Sequence, residues 1–202
     1  MAKLTHKTLI ESGYTGFIQP DAPERVLQFG EGNFLRAFVD YFFDVLNEKE
    51  GFNGKIAMVQ PIERGLTDMI NEQEGLYTLY LRGSENGEAV MKKRVITSVS
   101  RCIDPYRDFD VFMDCAKNPD LKYIVCNTTE AGIAYSDADK FSDAPAKSFP
   151  AKLCRFMYDR FVAFEGKPDT GFVILSCELI DNNGKELLAC VEKYIKLWGL
   201  SD

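Results

Sequence analysis

Val26-Leu27-Gln28-Phe29-Gly30-Glu31-Gly32-Asn33-Phe34-Leu35-Arg36 sets the fold of this chain. A short apolar run ends in glycine and a helical pattern starts directly behind it, so the stretch reads as strand, tight turn, helix. Downstream, Phe34, Leu35, Phe38, Val39, Phe42, Val45 and Leu46 recur at three- and four-residue steps. Arg36, Asp40, Asp44 and Asn47 fall between them, which predicts a single amphipathic helix with one wide apolar face. Gly30 permits a sharp turn, and Gly32 leaves backbone with no Cβ in the way of a ligand phosphate. The helix aims its unpaired N–H groups and positive dipole end at the same spot. A Gly-x-Gly also serves plain strand-to-helix links, but this position favours a pyrophosphate cradle of the dinucleotide type.

Two details depart from the general dinucleotide fingerprint. Leu35 stands where a third glycine is usual. The next strand-like run, Lys55-Ile56-Ala57-Met58-Val59, ends in Gln60-Pro61 rather than in an acid that could hold a ribose. Glu63 is the nearest acid, and Arg64 could equally meet a 2′-phosphate. The turn therefore leaves NAD and NADP both open.

The alternation continues outward from there. Leu76 to Leu81 and Ala89 to Val99 flank Asn86-Gly87, a hairpin signal. Asp108 to Ala116 reads as a helix, and Tyr123-Ile124-Val125-Cys126 as a buried-type strand opening onto Asn127-Thr128-Thr129-Glu130-Ala131-Gly132. Without further context that polar turn could equally cap its own backbone. Ser148-Phe149-Pro150 predicts a helix start with proline in the first turn. Phe172 to Ser176, the most apolar strand, is expected at the centre of the sheet, and Leu187 to Trp198 forms a last helix. The expectation is an α/β, Rossmann-like, doubly wound fold with a mostly parallel sheet and a β-hairpin insertion. Residues 1–20 read as a polar leader and 21–202 as a dinucleotide-binding domain.

Composition narrows the chemistry. The 202 residues carry 24 Lys+Arg against 31 Asp+Glu, a net charge of −7, and are 46% hydrophobic, as ordinary globular chains are. The acidic balance argues against nucleic-acid or anionic-membrane partners. No apolar run approaches the roughly 20 residues that cross a bilayer. The N-terminus shows no secretion signal, so the six cysteines read as reduced, small hydrophobes in a cytoplasmic protein. No Cys-x-x-Cys occurs, and the one histidine, His6, precedes every predicted strand. Histidine-based triads and metal centres are thereby excluded, and no metal site is expected. Lys92-Lys93-Arg94, Lys152 and Arg155 read as solvated charges, with Arg36, Lys152 and Arg155 the only candidate cations for an acidic ligand.

The motifs resemble the mannitol dehydrogenase family of polyol and sugar-acid dehydrogenases. The residues that carry the resemblance are Gln28 to Phe38, Glu74-Gly75-Leu76-Tyr77-Thr78, Asn127 to Ile133, Ser148 to Leu153 and Cys177-Glu178-Leu179-Ile180-Asp181, in the family's order. The resemblance implies NAD as cofactor, with Phe29, Gly30, Glu31, Gly32, Asn33 and Phe34 around it. It also implies that Asn127, Thr128, Thr129 and Glu130 lie near the nicotinamide side. The branch it points to interconverts D-altronate and D-tagaturonate, a step in galacturonate breakdown, beside mannitol- and fructuronate-type relatives. Leu179 stands where mannitol-type members carry an amide that helps hold substrate. The family's Lys-x4-Asn-x2-His pattern, borne on a helical second domain, cannot occur here with His6 the sole histidine. The chain is therefore expected to be an N-terminal cofactor domain, whose partners are a sugar-acid substrate and that helical domain. Two readings from other classes compete. One is an S-adenosylmethionine methyltransferase, which would want an acid where Gln60-Pro61 stands, and the other is a non-catalytic nucleotide-binding module.

Overall fold

The computed structural model of the chain describes residues 3–19, 21–129 and 132–200. Its main sheet has five strands in the order β5-β2-β1-β6-β7, all parallel: β1 (Glu24–Phe29), β2 (Lys55–Val59), β5 (Val99–Ile103), β6 (Tyr123–Cys126) and β7 (Val173–Ser176). β3 (Tyr77–Glu85) and β4 (Glu88–Ile96) form a separate antiparallel hairpin, closed by Asn86 and Gly87, both at positive φ. The doubly wound sheet and its hairpin insertion are thus as expected.

Helices cover both faces. On one side α5 (Phe109–Asp114), α6 (Phe149–Ala163) and α7 (Asn183–Trp198) bury Phe29, Phe112, Phe156, Leu187 and Tyr194. On the other, α2 (Asn33–Ala37), α3 (Val39–Glu50) and α4 (Thr67–Asn71) pack Leu35, Val39, Phe43 and Ile70 on Val26, Ile56 and Met58. Ser148 caps α6 by accepting from Ala151 N–H, with Pro150 in the first turn. Within residues 3–19, α1 (His6–Glu11) opens on a capping box and sets Leu9 against Leu76 and Val95 at the hairpin base.

Several expectations are corrected. The helix from Asn33 breaks at Phe38 (φ −114°, ψ −69°), and its buried side is not the apolar stripe alone: Leu35 and Val39 face the core as expected, but together with polar residues. Asp40, Asp44 and Asn47 are buried, while Phe34, Phe38, Phe42 and Leu46 are exposed. The polar side chains face inward because the hairpin arm supplies their partners. Tyr77 OH donates to Asp40 (2.8 Å), and Thr97 N–H and Oγ1 donate to Asp44 (2.7 and 2.9 Å). Asn47 exchanges two hydrogen bonds with Gly54. The run Ala89 to Val99 is two strands, divided at the buried Thr97 and Ser98, where the chain leaves the hairpin and joins the main sheet. β7 is an edge strand rather than a central one, and Val173 and Leu175 are 54% and 44% exposed. Three of the five charges read as solvated, Arg94, Lys152 and Arg155, are held by the fold, while Lys92 and Lys93 are exposed as expected. Lys152 is 2% exposed and donates to Lys147 O. Arg155 stacks on Phe141 and pairs with Asp159, and Arg94 pairs with the buried Asp44.

Candidate functional site

In a doubly wound sheet, ligands bind outside the carboxyl ends of the strands, where the strand order reverses. Here that point lies between β1 and β6, and the glycine turn and the Asn127 turn both open there. A cleft of 490 Å³ occupies the position. It is lined by Gly30, Glu31 and Gly32 on one side, by Asn127, Thr128, Thr129 and Gly132 on another, and by Pro61, Ile62 and Leu66 at one end.

The two glycines play different parts. Gly30 has φ +120°, a backbone conformation that side chains disfavour, and a Cβ on it would meet Asn127 O at 3.0 Å and Leu35 Cδ1 at 3.1 Å. Gly30 is what lets β1 turn beneath the neighbouring loop. Gly32 caps α2 at an ordinary φ of −70°, and a Cβ on it would meet nothing within 4 Å. That side of Gly32 is open cleft.

The second turn is tied to its neighbours rather than to itself. Asn127 N–H donates to Phe29 O (3.2 Å), and its side-chain amide donates to Cys177 O (2.8 Å). Thr128 donates from N–H (3.0 Å) and Oγ1 (3.1 Å) to one oxygen of Glu178, which is 3% exposed; the Cys126 thiol meets the other. The ends of β1, β6 and β7 are thereby joined in one network. Thr129, at φ +71°, is a β-branched residue in left-handed backbone, a strain that clusters at functional sites.

Among the residues the sequence singles out, Gly30, Glu31, Gly32, Asn127, Thr128 and Thr129 come together around the cleft. Glu31 accepts from Leu66 N–H at 3.3 Å, linking the glycine turn to the turn after β2, and burial pushes its carboxyl above the usual range. Asn33 and Phe34 lie at the mouth of the turn, Asn33 bonded to Arg36 and half of Phe34 exposed. The Phe29 side chain points away into the core, edge-on to Phe112 at 5.8 Å. Glu130 lies outside the described residues. Gln60 faces no ribose: it accepts from Thr67 Oγ1 (2.8 Å) and donates to Ile62 O (2.9 Å), shaping the turn that presents Ile62. Sequence reasoning missed Ile62, Leu66 and Ser148 as cleft walls; only Pro61, directly after the second strand, signalled where that wall begins. Among the described residues no cluster of His, Cys, Asp or Glu could hold a metal ion. The cysteines are free thiols, and burial pushes Cys102 up to about 12. No helix among the described residues is long and apolar enough to cross a membrane.

A glycine turn and a strand-end network meeting at the switch point define a Rossmann-type nucleotide-binding domain. Residues 24–198 match the family model described as the mannitol dehydrogenase Rossmann domain, and the chain belongs to that family. It is 49% identical over 181 residues to an altronate oxidoreductase of Escherichia coli O7:K1, a match covering 89% of this chain and 38% of that protein. A Klebsiella pneumoniae altronate oxidoreductase is 49% identical over 195 residues, covering 96% of this chain and 40% of that protein. Among solved structures, Pseudomonas fluorescens mannitol 2-dehydrogenase, in ternary complex with NAD and D-mannitol, superposes with a TM-score of 0.77 at 22% identity. That match covers 97% of this chain and 42% of that one. A substrate-free D-sorbitol dehydrogenase superposes with a TM-score of 0.69 at 16% identity, covering 96% of this chain and 45% of that one. The chain thus spans about two fifths of the length of the relatives it matches.

Proposed function

We infer that this chain is the NAD-binding part of an oxidoreductase that interconverts D-altronate and D-tagaturonate in the cytoplasm. The observation that carries the reading is the cleft at the strand-order reversal, with open space over Gly32 and fixed polar groups opposite. The 49% identity to altronate oxidoreductases supports that substrate pair over the polyols of more distant relatives. In this reading Gly30, Glu31, Gly32 and the start of α2 receive the pyrophosphate, and Asn127, Thr128 and Thr129 stand on the nicotinamide side. Phe29 contributes backbone only, while Asn33 and Phe34 flank the entrance. NAD, when bound, would accept or donate the hydride. This chain's residues bind it, orient it through the Glu178-anchored Thr128 turn, and wall it with Ile62 and Leu66. Residues 21–202 form the cofactor domain and residues 1–20 precede it. The sugar acid and a helical domain of the longer enzyme are its partners.

The test is a fluorescence titration with NADH, NADPH and S-adenosylmethionine as competing probes. Saturable NADH binding that Gly32→Val weakens is expected. Preference for S-adenosylmethionine, or no NADH binding by the folded chain, would overturn the reading.

A further inference from the structure

Asp40, Tyr77 and Arg36 meet close to the glycine turn, where α2 gives way to α3. The Tyr77 oxygen stands 2.7 Å from Arg36 O and 2.8 Å from Asp40 Oδ2. A phenol has one hydrogen and can direct it along only one of these lines. Burial and the neighbouring Asp40 push the phenol far up, so that hydrogen stays on at every working pH. Arg36 O can only accept, and so can an ionised carboxylate. Two such contacts from one hydroxyl therefore call for a second hydrogen, and the Asp40 carboxyl is the group that can carry it. With that proton in place Asp40 donates to Tyr77, Tyr77 donates to Arg36 O, and both contacts are hydrogen bonds.

What the pair holds is the break in the helix. α2 ends at Ala37 and α3 begins at Val39, with Phe38 between them. A helix end leaves its last carbonyls without donors of its own, and Tyr77 serves the one on Arg36. Ser98 Oγ donates to Asp40 O at 2.8 Å, so residues from both roots of the hairpin arm grip the break. Two short links lead on towards the cleft. Gln28, buried beside Asp40, donates its amide N–H to Gly30 O (3.1 Å). The Arg36 guanidinium donates to Asn33 Oδ1 (2.7 Å) at the mouth of the turn.

The surroundings of Asp40 favour the proton. Arg36 is the cation that faces it, from α2, and Asp44, one turn on in α3, is a second carboxylate, held by Arg94 and Thr97. Burial outweighs Arg36 and carries the Asp40 carboxyl up to about 7. We propose that Asp40 is a positioning residue of the cofactor site: neutral, it completes a relay of two hydrogens through Tyr77 to Arg36 O that staples the α2–α3 break beside the glycine turn, and cofactor affinity follows that proton. Ionisation leaves one hydrogen for two acceptors, and the unmet one loosens the staple. This inference rests on the reading of the cleft as a dinucleotide site, and it adds which buried group sets the pH dependence of that site.

The test is a series of NADH titrations of residues 1–202 from about pH 5 to about pH 9, spanning the Asp40 transition. The dissociation constant is expected to rise about fivefold or more across the series, the low end of ordinary coupling between sites. An asparagine amide offers a donor and an acceptor and carries no charge, so Asp40→Asn should keep the tight, acid-side affinity at every pH. Tyr77→Phe removes the relay and should bind weakly throughout. Any dependence that arises from Lys152, which burial lowers to about 8, would survive Asp40→Asn. Infrared difference spectra of the parent minus Asp40→Asn, taken without NADH, should show a carboxylic-acid carbonyl band that fades as pH rises through about 7. A flat parent profile, a sloping one that Asp40→Asn leaves unchanged, parent-like binding by Tyr77→Phe, or an absent carboxylic-acid band would each overturn the proposal. A folded parent that shows the band and binds no NADH refutes the cofactor reading instead, and leaves the protonated staple in place.

Discussion

Asp40 has no exposure to solvent, and one of its two oxygens finds no hydrogen-bond partner. Tyr77 donates to the other oxygen, Arg36 and Asp44 are its charged neighbours, and Gln28, beside it, also keeps an unpartnered oxygen. Burial pushes the Asp40 carboxyl up from 3.8 to about 7, against the hydrogen bond from Tyr77 and the nearby Arg36, which favour the charged form. Because the folded value lies above the unfolded one, the contribution of Asp40 to stability is fully present below about pH 4 and is lost as pH rises to about 7. Asp40→Asn retains an acceptor for Tyr77 and carries no charge to be buried. Its urea midpoint should therefore exceed that of the parent at pH 8, with the difference closing towards pH 4; parallel pH profiles would show that Asp40 does not titrate in this range. The two glycines allow an equally sharp contrast. Gly30→Ala places a Cβ in strained backbone 3.0 Å from Asn127 O and should cost roughly 1 kcal/mol or more of stability. Gly32→Val meets only open cleft, so thermal stability should hold while the NADH dissociation constant rises on the order of tenfold or more. Equal effects of both changes on binding and on stability would count against the division of labour.

Elements show where the sequence could be read and where it could not. The strands β1, β2 and β6, the Asn86-Gly87 hairpin and the Ser148 cap were legible because each rests on local chemistry: an apolar run, a turn dipeptide, a hydroxyl at a helix start. Gly30, Gly32 and Asn127 were legible for the same reason, since they sit in turns that follow strands. The facing of α3 was not legible, because periodicity names two stripes without saying which one is covered. Asp40, Asp44 and Asn47 became the inner stripe through side-chain partners 7 to 53 positions away, from Gly54 to Thr97. Ile62 and Leu66 were missed as cleft walls because only the fold brings their loop beside the glycine turn. Arg94 shows the energetic side of the same point. It donates to Asp44 at 2.6 Å and to Glu48 at 2.6 Å, fixing the hairpin arm on α3. Arg94→Met should destabilise the domain by an amount near the lower end of roughly 3–5 kcal/mol, since Asp44 keeps its Thr97 bonds. Lys92→Met removes only the solvent-exposed pair with Glu85 and should leave the denaturation midpoint unchanged. Equal losses from the two substitutions would refute the docking role of Arg94.

At the scale of the molecule, three strand ends converge on one cleft, and the bonds among them fix groups that could hold a dinucleotide without supplying the base that alcohol oxidation requires. Hydride leaves a secondary alcohol as its hydroxyl proton is taken, and a placed base typically contributes about 10²–10⁴-fold. Lys152 is the one lysine close to the cleft whose basicity is tuned for such work, since burial lowers it from 10.5 to about 8. Its ammonium is committed elsewhere, donating to Lys147 O at 2.7 Å and sitting 5.1 Å from the centre of the Tyr106 ring, with 2% of the residue exposed. It braces the segment ahead of α6. His6, the only histidine, lies in α1, where its backbone N–H donates to the Glu74 carboxylate. The polypeptide of residues 1–202 should therefore bind NADH and yet leave altronate and tagaturonate unturned, because holding the cofactor does not position the alcohol or remove its proton. Stopped-flow and overnight absorbance assays with both sugar acids should stay at background, and the fusion to the C-terminal remainder of the Escherichia coli relative should restore turnover. Lys152→Met sharpens the test. If Lys152 only braces the fold, that change leaves fusion activity near the parent level at a temperature where the protein is folded. If turnover by residues 1–202 is measurable and Lys152→Met abolishes it, the base lies in this domain after all and the cleft is a complete active site.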